Sequence, residues 1–126
     1  MLSDFYDLSL FSNKLRLDRS IYYIYNVYMK FEWDPKKYKS NQQKHLVSFD
    51  EAKSVFYDEE ALLIPDPSHS IDEDRFLLLG MSERIRELVV SYCERNYENG
   101  IEVIRIISAR KADPEERTEY WRMKRK

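Results

Sequence analysis

The sequence predicts an α+β fold with two N-terminal helices, an antiparallel sheet of about four strands and a C-terminal helix. Two observations favour this class. Helix-capping residues precede two polar segments between residues 34 and 56, whereas the apolar segments from residue 61 onward are short and closely spaced. Short connections favour antiparallel neighbours, and helices separated from a run of strands are typical of α+β domains.

A short strand at 30–33 and a lysine-rich helix open the predicted domain. Asp34 is followed by Pro35, and this pair predicts the start of the helix. Aspartate caps the free N–H groups of the first turn, and proline fits the first helical position. We expect this helix to end near His45.

A capping box predicts a second helix over 49–56. Ser48 and Glu51 match the motif S-x-x-E, in which each side chain bonds the backbone N–H group of the other residue. Apolar residues then recur at spacings of three and four, which is typical of a helix with one buried face.

Four strands and a final helix complete the predicted fold. Asn99 and Gly100 form the strongest hairpin signal, between the last two strands. Asp113 and Pro114 predict the start of the C-terminal helix. The strands are expected at 61–64, 75–81, 87–94 and 102–109.

Composition limits the classes of protein to which the chain can belong. Hydrophobic residues make up 43% of the sequence and charged residues 35%, which suits a domain with a core and a solvated surface. No apolar run approaches the roughly 20 residues that cross a bilayer, and the N-terminus lacks the basic start of a signal peptide. Cys93 has no second cysteine to pair with. We therefore expect a cytoplasmic protein in which Cys93 is buried.

Residues 1–28 differ from the remainder and are interpreted as an N-terminal extension. They contain five of the ten tyrosines and neither proline nor glycine. Met29 is a candidate translation start, so this extension is either a misassigned upstream translation or a partner-binding arm. The domain proper covers 29–126.

The net charge of −2 hides a strong asymmetry. Residues 50–74 contain nine acids and one lysine, whereas 30–49 contain five lysines and two acids, and 105–126 contain eight cations and four acids. A nucleic-acid-binding surface can be local, so the average charge does not exclude one. The alternative is that these segments are solvated faces that pair with each other.

Common nucleotide and metal motifs are absent from the sequence. It contains no GxxxxGK[ST], GxGxxG, CxxC or HExxH, and its two glycines are too few for a phosphate-binding loop. His45 and His69 lack the neighbouring ligands of a metal site. We therefore expect no cofactor and no metal.

Arginines on the last predicted strand are the strongest candidates for chemistry. Strict alternation puts Ser108 and Arg110 on one face of this strand and Arg105 on the other. Arg105 is then the better candidate for a structural ion pair, with Glu116 or an acid of 50–74 as its partner. Arg110, at the strand end, is the better candidate for contact with a ligand.

Metal-free RNA cleavage requires only groups of these kinds. A base takes the 2′-hydroxyl proton, a cation stabilises the charge on phosphorus, and an acid protonates the leaving 5′-oxygen. Arg110 suits the second role because guanidinium matches phosphate oxygens and stays charged. His45 suits proton transfer, and Lys44 or Tyr120 are its substitutes. Surface ion pairs and a histidine at a helix end explain the same residues without a ligand.

Ordered motifs run through residues 30–121 of the sequence. They are FEWDPKK at 31–37, Asn41, KH at 44–45, VSFDEA at 47–52, VFYD at 55–58, the acidic run up to Arg75 with Gly80 beyond it, and IRIISARKA with ERxxY at 104–120. Together these motifs resemble the BrnT toxin family of bacterial type II toxin–antitoxin systems. Leu46 departs from the family, which commonly has glycine there, and this leaves the helix end less free to turn.

The resemblance implies a RelE-like ribonuclease fold and a toxin that cleaves RNA without a metal and inhibits translation. It also implies a BrnA-like antitoxin with a ribbon–helix–helix part, which forms a heterotetramer with the toxin and alone contacts operator DNA. No contact with a membrane is implied. The catalytic candidates are His45, Lys44, Arg75, Ser108, Arg110 and Tyr120, and the RNA-binding candidates are Arg84, Arg86, Lys111 and Arg117.

A second hypothesis comes from the acidic segment 50–74. Its net charge repels nucleic acid and suits a basic partner peptide. The chain is then a catalytically weak, toxin-like binding module that acts as an antitoxin-bound co-repressor. Toxicity on expression separates the two hypotheses.

Overall fold

One mixed sheet, with helices on both faces, forms the centre of the domain in a computed structural model that describes residues 6–7, 30–66, 75–96 and 102–124. The α+β class, the two N-terminal helices and the C-terminal helix are confirmed. The predicted Asn99-Gly100 turn lies outside the described residues. The elements are β1 (Tyr6–Asp7), β2 (Lys30–Trp33), α1 (Pro35–His45), α2 (Phe49–Ser54), a 3₁₀ turn (Val55–Tyr57), β3 (Leu62–Ile64), β4 (Phe76–Met81), β5 (Glu87–Asn96), β6 (Glu102–Lys111) and α3 (Pro114–Lys124).

The described strands lie in the order β1-β3-β4-β5-β6-β2. Strands β3 to β6 form the predicted antiparallel meander. Strand β2, however, pairs in parallel with β6, with Lys30 opposite Val103 and Trp33 opposite Ile106. The predicted antiparallel sheet of about four strands is therefore present, but the parallel strand β2 extends it into a larger mixed sheet. The pairing joins segments that are distant in the chain, which the pattern within either strand does not reveal.

The sheet separates two apolar cores. Helices α1 and α2 cover one face, where Phe49 packs in the same cluster as Val90 and Ile106. Helix α3 covers the other face, where Tyr120 packs in a second cluster with Val89. Adjacent residues of β5 enter different cores because successive side chains of a strand point to opposite faces. Cys93 is buried, as expected.

A bulge interrupts the regular pairing of β6 with β5. Ser108 lies opposite Ser91, but Ile106 lies opposite Tyr92, the next residue of β5. Ile107 is therefore an extra residue with no partner in β5. Such a bulge shifts the alternation of the strand by one position.

The bulge overturns the predicted faces of the arginines on β6. Ile106 and Ala109 belong to the same core cluster, although strict alternation puts them on opposite faces. Arg110 is consequently turned to the side of α3, where its register partner Val89 also lies. Arg105 shares this face through its register partner Cys93.

Leu46 ends α1 in the left-handed conformation, with φ 58° and ψ 35°, and its N–H group donates to the carbonyl of Gln42 at 3.0 Å. This geometry favours glycine, which lacks the Cβ that is strained there. The Leu46 side chain is 65% exposed, so its replacement removes little packing.

We expect Leu46→Gly to raise the free energy of unfolding by about 1 kcal/mol, because it removes left-handed strain. Leu46→Ala is the matched control, since it removes the side chain but keeps the Cβ. Urea denaturation of the two variants measures the difference. Equal midpoints for glycine and alanine would show that the strain is absent.

Candidate active site

A groove of about 460 Å³ lies where β6 extends past the end of β2. The last residue pair between these strands is Trp33 with Ile106, and β6 continues to Lys111. Helix α1 lies along the edge that β2 leaves open. The lining residues are Lys36, Lys37, Ser40, Asn41, Lys44, His45, Ile107 and Ser108.

The groove is strongly cationic. Lys36, Lys37 and Lys44 line it together with His45, and no carboxylate is among the described residues of the lining. None of these three lysines forms an ion pair with any described residue. Their charges are therefore available to an anionic ligand.

Asn41 fixes α1 against the open edge of β6. Its side-chain amide donates to the carbonyl of Ala109 at 2.9 Å and to that of Val47 at 3.1 Å. Its side-chain oxygen accepts the N–H of Ala109 at 3.0 Å. Asn41 is buried, and it satisfies backbone groups that a neighbouring strand would otherwise bond. This contact sets the distance between the helix and the strand that line the groove.

His45 is the last residue of α1 and is half-buried in the groove wall. Burial, and then the positive charges of Lys44 and Arg110, lower the pKa of His45 below its usual value. The imidazole is therefore mostly neutral at neutral pH. A neutral imidazole can accept a proton from a bound substrate.

Arg110 forms a bidentate ion pair with Glu116, in which its two terminal nitrogens donate to the two carboxylate oxygens at 2.8 and 3.0 Å. The Glu116 carboxylate also accepts the N–H of Asp113 at 2.8 Å, so it is held at the start of α3. A third contact of Arg110, at 3.3 Å, reaches the carbonyl of Lys111. Guanidinium has five N–H donors, so two remain for a ligand. The hydrogen bonds to Glu116 raise the pKa of Arg110, which is a permanent cation near His45.

Arg105 has the predicted structural role, but its predicted partner is wrong. It forms an ion pair with Glu32, which lies opposite it on β2. Glu116 is bound to Arg110 on the same face of β6, and none of the described acids of 50–66 pairs with Arg105. The parallel pairing of β2 with β6 brings the Arg105 partner into place.

Tyr120 and Arg75 lie away from the groove. Tyr120 is fully buried in the second core, and its hydroxyl donates to the Asp58 carboxylate at 2.7 Å. Burial and the Asp58 charge raise the pKa of Tyr120 well above its usual value. Tyr120 therefore supports the core and does not contact a ligand in the groove. Arg75 directly precedes β4, two strands from β6, and does not line the groove.

Arg86 and Arg84 surround the buried carboxylate of Glu51. The Nε of Arg86 donates to Glu51 at 2.9 Å, and the Ser82 hydroxyl donates to the same carboxylate at 2.6 Å. Half of the predicted capping box is present, since the Ser48 hydroxyl accepts the N–H of Glu51 at 3.0 Å. The Glu51 carboxylate bonds Arg86 and Ser82 in place of the Ser48 N–H. Arg86 is therefore committed to an internal ion pair. Arg84 is two-thirds exposed, 3.8 Å from Glu51.

Lys111 and Arg117 are exposed beside α3. Arg117 donates to the carbonyl of Ala112 at 3.0 Å and lines a second groove, of about 620 Å³, with Trp121. The indole of Trp121 donates to Glu87 at 2.7 Å. Neither cation contributes to the groove of α1 and β6.

Sequence reasoning brought together His45, Lys44 and Ser108, which all line the groove, but it assigned no role to Asn41, Lys36 or Lys37. Their helical spacing carries a usable signal: residues 36, 40 and 44 recur every four positions and share one face of α1. The bond from Asn41 to β6 spans 68 residues and has no local signal.

Metal and membrane features are not found within the described ranges. No group of three or more histidine, cysteine, aspartate or glutamate side chains is placed to hold a metal ion there. No helix in that part of the chain has the length and apolar character to cross a membrane.

Comparison with known proteins adds a family and a fold. A family model described as "Ribonuclease toxin, BrnT, of type II toxin-antitoxin system" matches residues 33–116. The 1.1 Å crystal structure of the Brucella abortus ribonuclease toxin BrnT matches with a TM-score of 0.51 and 22% identity, over 68% of this chain and 97% of that chain. No curated protein matches. At this identity the structural likeness shows the fold alone, but the family model covers most of the sequence, and the chain belongs to the BrnT family of ribonuclease toxins.

Proposed function

We propose that the chain is a toxin that cleaves RNA in the groove between α1 and β6 without a metal ion, and so inhibits translation in the cytoplasm. One observation carries this proposal. A histidine with a lowered pKa, His45, lies near Arg110 and beside lysines without ion pairs to described residues, in a groove whose described lining contains no carboxylate. These groups suffice for transfer of a phosphodiester to a neighbouring hydroxyl.

In the proposed reaction, neutral His45 takes the proton of the RNA 2′-hydroxyl. The 2′-oxygen then bonds to phosphorus while the bond from phosphorus to the 5′-oxygen breaks. Arg110 stabilises the negative charge that grows on the phosphate oxygens, and Ser108 orients the phosphate. Lys44 gives a proton to the leaving 5′-oxygen. The products are a 2′,3′-cyclic phosphate and a free 5′-hydroxyl. Arg75 is outside this scheme because it directly precedes β4, two strands from β6, whereas the charge of Arg110 acts on His45.

The direct test is RNA cleavage by the purified chain in EDTA, free of antitoxin and with and without ribosomes. Cleavage that leaves 2′,3′-cyclic ends and is lost in His45→Ala supports the proposal. His69→Ala is the matched control, since it removes the other histidine of the chain. A folded chain that cleaves RNA neither alone nor on ribosomes would contradict it.

The lowered pKa of His45 gives a pH prediction. Because the neutral imidazole is the base, the cleavage rate rises with pH through a midpoint below the ordinary histidine value of about 6.5. Lys44→Gln removes a repelling charge, so the pKa of His45 moves upward.

NMR titration of the imidazole protons in a His69→Gln background measures this pKa without relying on activity. Lys39→Gln makes the same change on the same helix but outside the groove lining, so it should leave the pKa of His45 unchanged. An unchanged pKa in Lys44→Gln would refute the electrostatic contact.

We further infer that the partner is a BrnA-like antitoxin that neutralises the toxin, forms a heterotetramer with it and binds operator DNA. Membership of a toxin–antitoxin family supports an antitoxin partner. Growth arrest on expression of the chain, relieved by co-expression of the adjacent small reading frame, tests neutralisation.

The co-repressor hypothesis keeps less of its original support. It depends on the negative charge of 50–74, yet two acids of that segment bind groups within the domain. Glu51 is paired with Arg86, and Asp58 accepts both the Tyr120 hydroxyl and the N–H of Met81. The repulsion of nucleic acid is reduced accordingly. Expression without growth arrest would restore this hypothesis.

A further inference from the structure

The unpaired lysines of α1 occupy both ends of the groove. Lys44 and His45 lie at the C-terminal end of the helix, near Arg110, whereas Lys36 and Lys37 lie at its first turn. Eight residues of α-helix separate Lys36 from Lys44, which corresponds to about 12 Å along the axis. That separation exceeds the length of one lysine side chain, so the two ends of the groove present separate cationic positions to a ligand.

We propose that Lys36 and Lys37 form a second phosphate-binding subsite, which holds an RNA phosphate at least one nucleotide away from the phosphate that is cleaved. This inference rests on the proposed ribonuclease function, because it assumes that RNA lies in the groove. It assigns to these two lysines a role in substrate binding and not in the chemical step. The substrate is accordingly a single strand that extends beyond the cleaved linkage.

The surface between the two cationic ends fits a nucleic acid strand. Ser40 lies between Lys36 and Lys44 on the same helix face and offers a hydroxyl. Ile107, the extra residue of the bulge, adds an apolar contact on the opposite wall. Proteins that bind single strands combine a cationic track for the phosphates with apolar surface for the sugars and bases.

The side chains of Lys36 and Lys37 can be changed without disturbing the start of α1. Asp34 caps this helix by accepting the backbone N–H of Lys36 at 2.8 Å, which does not involve the lysine side chain. Both lysines are exposed and lack ion pairs with described residues. Lys39, on the same helix, is exposed but does not line the groove.

The test compares the double variant Lys36→Gln with Lys37→Gln against Lys39→Gln as the matched control. The probes are fluorescent 2′-O-methyl RNAs of mixed sequence, six or two nucleotides long, which cannot be cleaved because the 2′-oxygen is blocked. Anisotropy at several salt concentrations gives the Kd and its salt dependence for each probe.

We expect the double variant to bind the six-nucleotide probe about five- to tenfold more weakly than the parent chain. The slope of log affinity against log salt should fall by about 0.7 to 1.4, since one or two phosphate contacts are lost. The two-nucleotide probe, which has a single internal phosphate, should bind both chains equally. Lys39→Gln should match the parent chain with both probes.

Different results overturn the subsite and the proposed function. Equal binding of the longer probe by the parent chain and the double variant removes the subsite, even if RNA is cleaved. A double variant that keeps RNA binding but loses the antitoxin also overturns it, because the lysines then serve a protein partner. If the parent chain cleaves unmodified RNA neither alone nor on ribosomes, but the double variant still binds only the longer probe more weakly, the ribonuclease proposal fails and an RNA-binding groove remains.

Discussion

Arg110→Ala should lower the rate of RNA cleavage by about 10²- to 10³-fold, the usual cost of removing a group that stabilises charge in the transition state. Arg110 is the permanent cation whose charge reaches His45, and the Glu116 ion pair fixes its orientation. The groove of the variant keeps its lysines, so RNA binding should weaken far less than turnover. A fall in kcat with a nearly constant KM is the expected result.

The fold should survive this substitution. The Arg110 side chain is 40% exposed, and Glu116 keeps its bond to the Asp113 N–H when the arginine is gone. Arg105→Ala is the matched control, because it removes an ion-paired arginine from the same strand and face that is not among the charges lowering the pKa of His45. Equal cleavage by the two variants, with thermal unfolding like that of the parent chain, would exclude Arg110 from the reaction.

Asn41→Ala should produce the largest loss of stability, about 3 to 5 kcal/mol, because it removes three hydrogen bonds and leaves buried backbone groups of Ala109 and Val47 without partners. Asn41→Asp should be at least as damaging, since its carboxylate faces two carbonyl oxygens and cannot donate to them. Urea denaturation provides the measurement.

The adjacent residue supplies the control for this substitution. The side-chain oxygen of Gln42 is buried without a hydrogen-bond partner among the described residues. Gln42→Ala should therefore lower the free energy of unfolding far less than Asn41→Ala, since it removes no hydrogen bond to a described residue and leaves no backbone group without a partner. If both alanine variants were equally stable, Asn41 would not anchor α1 to β6.

Local signals predicted the helix starts correctly. Asp34 accepts the N–H of Lys36, and Asp113 and Glu116 bond each other's N–H groups at 2.8 Å. Such caps involve residues two or three positions apart, so the sequence motif contains all the interacting groups. The meander is predictable for a related reason, because each strand pairs with its neighbour along the chain.

The features that build the groove depend on distant contacts. Strand β2 reaches β6 across most of the domain, and Asn41 bonds Ala109 over 68 residues. The bulge has no glycine to mark it, since Ile107 is the extra residue. Alternation alone therefore put Arg105 and Arg110 on opposite faces of β6. It also led to Glu116 or an acid of 50–74 as the expected partner of Arg105. The residue types were enough to name candidate side chains for the site. The hydrogen-bond and ion-pair partners of these side chains became known only from the tertiary structure.

The bulge in β6 also gives Ile107 a special place in the length of this strand. Without Ile107, Ile106 would directly precede Ser108, and the regular two-residue repeat would still put Ala109 in the first core and Arg110 on the side of Glu116. The deletion would instead remove the Ile107 side chain from the wall of the groove. In chains of this fold, a one-residue alignment gap at position 107 should therefore keep both cores and change the groove.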